Sequence, residues 1–91
     1  YKRYQKQTLL IITSKPDEIY EQIRKNTNHD ATLFKGIGCY RKQECNMLYS
    51  VVGRDEIKTI TKKIRQIDPN AFINTMNTQQ LTGRFYQRPN D

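Results

Sequence analysis

Apolar residues follow two rhythms along this chain: short continuous runs, and stripes spaced three and four apart. The first run, Thr8-Leu9-Leu10-Ile11-Ile12-Thr13, is β-branched and apolar throughout, as a central strand buried on both faces would be. Ser14 stands where an N-cap belongs, ahead of Pro16, Asp17 and Glu18. Proline suits the first helical turn and acids favour the positive end of the helix dipole, so a helix is predicted from there. Ile19, Ile23 and Thr27 recur at a spacing of four, with Tyr20 at the edge of the stripe. Asn26 to Asp30 reads as a polar loop, and Ala31 to Tyr40 as a second strand in which Gly36 and Gly38 suggest a bulge or a close backbone approach.

Arg41-Lys42-Gln43-Glu44 reads as a polar turn, and Asn46 to Val52 as a third strand completing a hairpin. In that strand Leu48, Ser50 and Val52 share one face and Met47, Tyr49 and Val51 the other. Neither face is polar, so the side away from the helices is itself expected to be covered, for instance by another subunit. Gly53-Arg54-Asp55-Glu56 opens a second helix striped by Ile57, Ile60, Ile64 and Ile67. Its Lys58, Lys62, Lys63 and Arg65 read as a solvated helix face. Pro69 ends that helix, and Ala71-Phe72-Ile73, bounded by Asn70 and Asn74, begins a fourth strand running to Met76.

A shift of 38 positions sets Asp68 on Asp30, Phe72 on Phe34, Asp55-Glu56-Ile57 on Asp17-Glu18-Ile19, and Leu48 on Leu10. The chain thus reads as two strand–helix–strand units. The expected fold is α+β, a ferredoxin-like βαββαβ sandwich with an antiparallel sheet and two helices on one face. Its core is expected to pack Ile19, Ile23, Ile57, Ile60 and Ile64 on Leu9 or Leu10, Phe34 and Phe72. Residues 1–7 form a basic lead-in, 8–77 the domain, and 78–91 a tail that packs on the domain or on a neighbouring subunit.

Composition narrows the function. The 91 residues suffice for one small domain with a thin core, which oligomerisation would help. Sixteen Lys and Arg against nine acids give a formal charge of +7, which suits nucleic acid, an anionic membrane surface or an anionic ligand. No apolar run approaches the ~18 residues of a membrane span. The chain opens on Tyr1 rather than Met and so reads as a piece of a longer protein. Two cysteines without a framework pattern suggest a reducing cytoplasm.

With His29 as the one histidine, no histidine-based metal cluster or triad can be built. Cys39 and Cys45 lack the paired close spacing of zinc ligands. Gly36-Ile37-Gly38 is a poor match to a phosphate loop, lacking the third glycine and the helix that follows. No nucleophile–base pair or carboxylate pair stands out, and Ser14 to Asp17 lacks the Arg and Asn of an acylphosphatase-like anion loop. The reading is therefore a non-enzyme without a cofactor. A nucleic-acid-binding module is the alternative. RNA-recognition domains of this topology stack bases on aromatics of the two central strands, where only Tyr49 is available here.

Ile11-Ile12-Thr13-Ser14, Glu18-Ile19, Gly38-Cys39-Tyr40, Leu48-Tyr49-Ser50-Val51-Val52 with Arg54 and Glu56, Asp68-Pro69-Asn70-Ala71-Phe72 and the closing Gly83-Arg84-Phe85 together form a familiar pattern. It resembles the C-terminal cytoplasmic domain of YitT-type bacterial membrane proteins, a domain of unknown function. Asp30-Ala31-Thr32 departs from the family's Arg-Gly-Val/Ile-Thr, matching only at Thr32, so a loop function carried by that glycine is not expected to transfer. The resemblance implies a ferredoxin-like fold related to PII-type signalling proteins, tethered behind transmembrane helices on the cytoplasmic face of the bacterial membrane. It implies no established ligand or activity.

The resulting expectation is a regulatory or assembly domain that self-associates as a dimer or trimer and partners the membrane-embedded part of its own protein. Gly83 is expected to turn the chain so that Phe85 packs near the helix-free face or a subunit boundary. Arg84 would then hold a small anionic ligand together with Arg41 and Lys42 of the hairpin turn, beside Gly38. For the cysteines, titration in denaturant of protein kept from air should find both thiols free and no metal; bound zinc would overturn this.

Overall fold

In the computed structural model, residues 6–83 are described. β1 (Lys6–Thr13), α1 (Pro16–Asn26), β2 (Thr32–Ile37), β3 (Glu44–Gly53), α2 (Ile57–Ile67) and β4 (Phe72–Thr78) follow one another, with a single 3-10 turn, Arg54–Glu56, leading into α2. The strands lie in the order β2-β3-β1-β4, every neighbouring pair antiparallel. Two βαβ crossovers and a central hairpin arranged this way make the ferredoxin-like sandwich. The limits expected for the domain move slightly, because β1 already includes Lys6 and β4 runs to Thr78.

Leu9 and Ile11 of β1 and Leu48 and Val52 of β3 face the helices, where Ile19, Ile23, Ile60 and Ile64 are fully buried against them; Ala71 completes the cluster. α1 caps differently from expectation. Lys15, not Ser14, occupies the N-cap, and no side chain caps the helix. Instead the Thr13 hydroxyl accepts the Lys15 N–H at 3.0 Å. Both helices end alike: Thr27 N–H bonds to Ile23 O and Asp68 N–H to Ile64 O, each at 2.9 Å. Equivalent helix positions therefore lie 41 residues apart, as in Ile19 and Ile60, whereas Phe34 and Phe72 keep the 38-residue spacing. The path from the helix C-cap to the phenylalanine is therefore three residues shorter in the second half, Asp68 to Phe72 against Thr27 to Phe34.

The expectation that Phe34 and Phe72 join the core is wrong. They are 50% and 63% exposed, because the register places them opposite Met47 and Ile12, on the side the helices do not cover. Leu33 and Ala71 hold the alternate, helix-side parity. The second strand also stops at Ile37, and Gly36 pairs regularly with Cys45 without a bulge. Gly38 to Gln43 forms the connecting turn, with Gly38 N–H bonded to Gln43 O at 2.7 Å.

Replacing Ile60, at the centre of the buried stripe, with Ala is expected to destabilise the domain by about 2–5 kcal/mol in urea unfolding. A loss below about half a kcal/mol, within the range of surface substitutions, would contradict the helix packing.

Candidate functional site

The residues expected to hold an anion do not converge. Gly38, Arg41 and Lys42 sit in the β2–β3 turn, Lys42 with φ 57° and its N–H bonded to Gly38 O at 2.9 Å. Gly83, with φ 101°, does turn the chain in a left-handed conformation. It lies at the other end of β3, lining a 370 Å3 cleft with Asp30, Thr32, Tyr49 and Val51. Seven residues of strand separate Glu44 from Val51, about 23 Å, too far for one small anion to bridge. Arg84 and Phe85 lie outside the described residues.

Two polar ties hold the corners of the fold. At one end Asp68, itself buried, accepts the Thr13 hydroxyl at 2.7 Å and the Asn70 N–H at 3.0 Å. The Thr13 hydroxyl chiefly, then the Asn70 and Ser14 amides and the Lys15 charge, hold its carboxyl below the ordinary carboxylate range against the opposing effect of desolvation. At the other end buried His29 places Nε2 at 3.2 Å from Glu56 Oε1, and that same oxygen accepts the Gly53 N–H at 2.7 Å. Sequence reasoning took Asp68 as part of a helix break and His29 as a loop residue. Only their location beside a strand-to-helix corner of the other half explains their burial. Both ties join elements to each other, and neither aims a reactive group at a cleft. Among the described residues no group of three or more His, Cys, Asp or Glu side chains could hold a metal ion.

The largest unsatisfied surface is the helix-free side of the sheet. Strand alternation and the pairing register set three rows of side chains on it. Across the sheet these are Phe34, Met47, Ile12 and Phe72; then Thr32, Tyr49, Leu10 and Asn74; then Val51, Thr8 and Met76. Ile12 is 41% and Met76 42% exposed, beside the two phenylalanines. Lys6, at the end of β1, is the one charged residue that the described strands place on this side. At the end of the face where β1 begins, Val51 is buried and lines, with Thr32 and Tyr49, the cleft that Leu81, Thr82 and Gly83 also line, so the open apolar part is the row of Phe34, Ile12 and Phe72 together with Met76. Exposed aromatic and aliphatic side chains grouped in this way mark an interaction surface. Phe34 and Phe72 are the residues that sequence reasoning misassigned. The available signal was parity, since Ile12, Met47 and Phe72 had to alternate with the helix-side set.

The comparisons agree with this architecture. A family model described as an uncharacterized protein conserved in bacteria (DUF2179) matches residues 29–83. The UPF0750 membrane protein YpjC of Bacillus subtilis is 34% identical over 73 residues, covering 80% of this chain and 25% of YpjC. The UPF0750 membrane protein YitT of the same organism is 31% identical over 83 residues, covering 91% of this chain and 30% of YitT. The chain thus spans about a quarter to a third of the length of these relatives. The crystal structure of a functionally unknown protein from Pediococcus pentosaceus superposes with a TM-score of 0.70 at 12% identity, over 91% of this chain and all of that one. That of a DUF2179 protein from Eubacterium ventriosum gives 0.65 at 18% identity, over 79% and 99%. These two share the fold.

The stability contributed by Asp68 should be present above the ordinary carboxylate pKa of 3.8 and lost as pH falls below it, because the folded-state pKa is the lower one. The melting-temperature gap between the native chain and Asp68→Asn should accordingly narrow as pH drops through that range. A gap independent of pH would contradict the assignment.

Proposed function

The chain belongs to the DUF2179 family of bacterial proteins, and on that premise we propose that it is a non-catalytic regulatory and assembly domain of a membrane protein. It is held at the cytoplasmic face and acts through its uncovered sheet surface. That surface is the observation that carries the reading, since two helices cover one side of the sheet and Phe34, Phe72, Ile12 and Met76 stand exposed on the other. Relatives bearing the name membrane protein support the setting. No helix among the described residues is long and apolar enough to cross a membrane, so this part would sit beside the membrane-embedded part rather than within it. The acid–base groups that lie close together, Thr13 with Asp68 and His29 with Glu56, are engaged in holding the fold, which favours binding over catalysis.

In the full-length protein the surface should be covered. With Cys39→Ser and Cys45→Ser as background, maleimide labelling of Phe72→Cys in native membranes should run about tenfold or more slower than that of Lys62→Cys on the exposed side of α2, as for a site whose open state is a minor population. Equal rates for the two positions would sink the reading.

A further inference from the structure

We propose that the occupant of this surface is a second copy of the chain, related by a two-fold axis that runs between the two sheets parallel to their strands. This rests on the reading of the helix-free side as the binding surface and names its partner. The argument begins with the rows. Across β2-β3-β1-β4 the first reads Phe34, Met47, Ile12, Phe72 and the second Thr32, Tyr49, Leu10, Asn74. Each reads alike from either end: aromatic, aliphatic, aliphatic, aromatic in one; polar, apolar, apolar, polar in the other.

An axis along the strands lays β2 of one copy over β4 of its partner and keeps every row at its own height. Phe34 then meets the partner's Phe72 and Met47 meets the partner's Ile12, while Tyr49 stays beside residues 81–83 of its own chain. Such an interface is isologous and closes with two copies. An axis across the strands would instead set Ile12 against the partner's Lys6 and Phe72 against the partner's Thr78, burying charge and hydroxyl on apolar groups.

Charge and size fit the same arrangement. A chain of net charge +7 repels its copies, yet the described strands place only Lys6 on this side, at its margin, while Lys58, Lys62, Lys63 and Arg65 are exposed on α2 behind the sheet. Pairing sheet to sheet leaves those cations outermost. A nucleic acid would need cations beside the aromatics, and the described strands set none next to Phe34 or Phe72 on this side. Four strands ~4.8 Å apart and about 26 Å long span roughly 500 Å2 in projection, and residues 81–83 share one end of it, so the contact is smaller than the ~800 Å2 per partner of ordinary stable interfaces and belongs to the weaker, concentration-dependent class. The axis also preserves strand direction, so both β1 strands begin at the same end of the dimer.

Sedimentation velocity of the chain over a micromolar series should show a species of twice 10.8 kDa. Phe72→Asp should weaken association about tenfold or more while circular dichroism stays native, as for a charge set against the partner's Phe34. Phe34→Ser serves as a second, milder variant with the same expected direction. Aligned sheets stand ~10 Å apart, too far for a disulfide, so the geometry is read with a short bis-maleimide in the Cys39→Ser, Cys45→Ser background. Mixed Phe34→Cys and Phe72→Cys chains should cross-link to each other, and the Phe34→Cys chain alone should not. A monomer at every concentration, a dimer indifferent to Phe72→Asp, or efficient cross-linking of Phe34→Cys to itself would each overturn the proposal. A monomeric isolated domain whose position 72 is nevertheless protected in the full-length protein would do so too, leaving the binding surface in place with another occupant. Loss of that protection would instead remove the binding surface itself.

Discussion

Two eleven-residue helices can cover only one side of a four-stranded sheet, and the rest of this structure follows from that constraint. Alternate residues of a strand point to opposite sides, so burying Leu9, Ile11, Leu48 and Val52 under the helices commits Leu10, Ile12, Met47 and Tyr49 to the other. A sequence selected for a free-standing domain would make that second set polar. Here it is mostly aliphatic or aromatic, and the two outer strands add Phe34, Phe72 and Met76 to it. The hydrophobic effect that closes the helix side leaves a comparable drive unspent on the other.

The covered side is held square by two polar ties of the same kind. Each half's strand-to-helix corner is bonded to the other half's helix-to-strand corner: Thr13 to Asp68 at one end, Glu56 to His29 at the other. Buried polar groups of this sort are tolerable only when satisfied, and here they tie together junctions that the helices alone would leave free to splay. They also account for the exits from the helices. Asp68 follows Ile67 where α2 must stop, and Thr27 bonds Ile23 O and accepts the His29 N–H at 3.1 Å, carrying the chain inward from α1.

Most of the architecture was legible in the order of apolar runs and stripes, because helix and strand impose different periods on the same sequence. Side assignment within the short strands was not. Leu33 and Phe34, or Ala71 and Phe72, are adjacent apolar residues, and size alone favours the phenylalanine of each pair for the inner position. The pairing register sets Leu33 and buried Ala71 on the helix side, and the phenylalanines fall on the open side. The grouping of Arg41 and Lys42 with Gly83 failed for a topological reason. In this strand order the β2–β3 turn and the segment after β4 lie at opposite ends of the sheet. The expectation that the helix-free side is itself covered came from Met47, Tyr49 and Val51, and those residues do lie on that side.

The central claim is that the helix-free side of the sheet is complete only when another molecule lies on it. Hydroxyl-radical footprinting of the chain, dilute and concentrated, tests this residue by residue. Oxidation of Phe34, Met47 and Phe72 should fall together as concentration rises, while Tyr40, 95% exposed in the hairpin turn, stays constant. Oxidation of the three at one rate across the series, or protection that extends equally to Tyr40, would contradict the account.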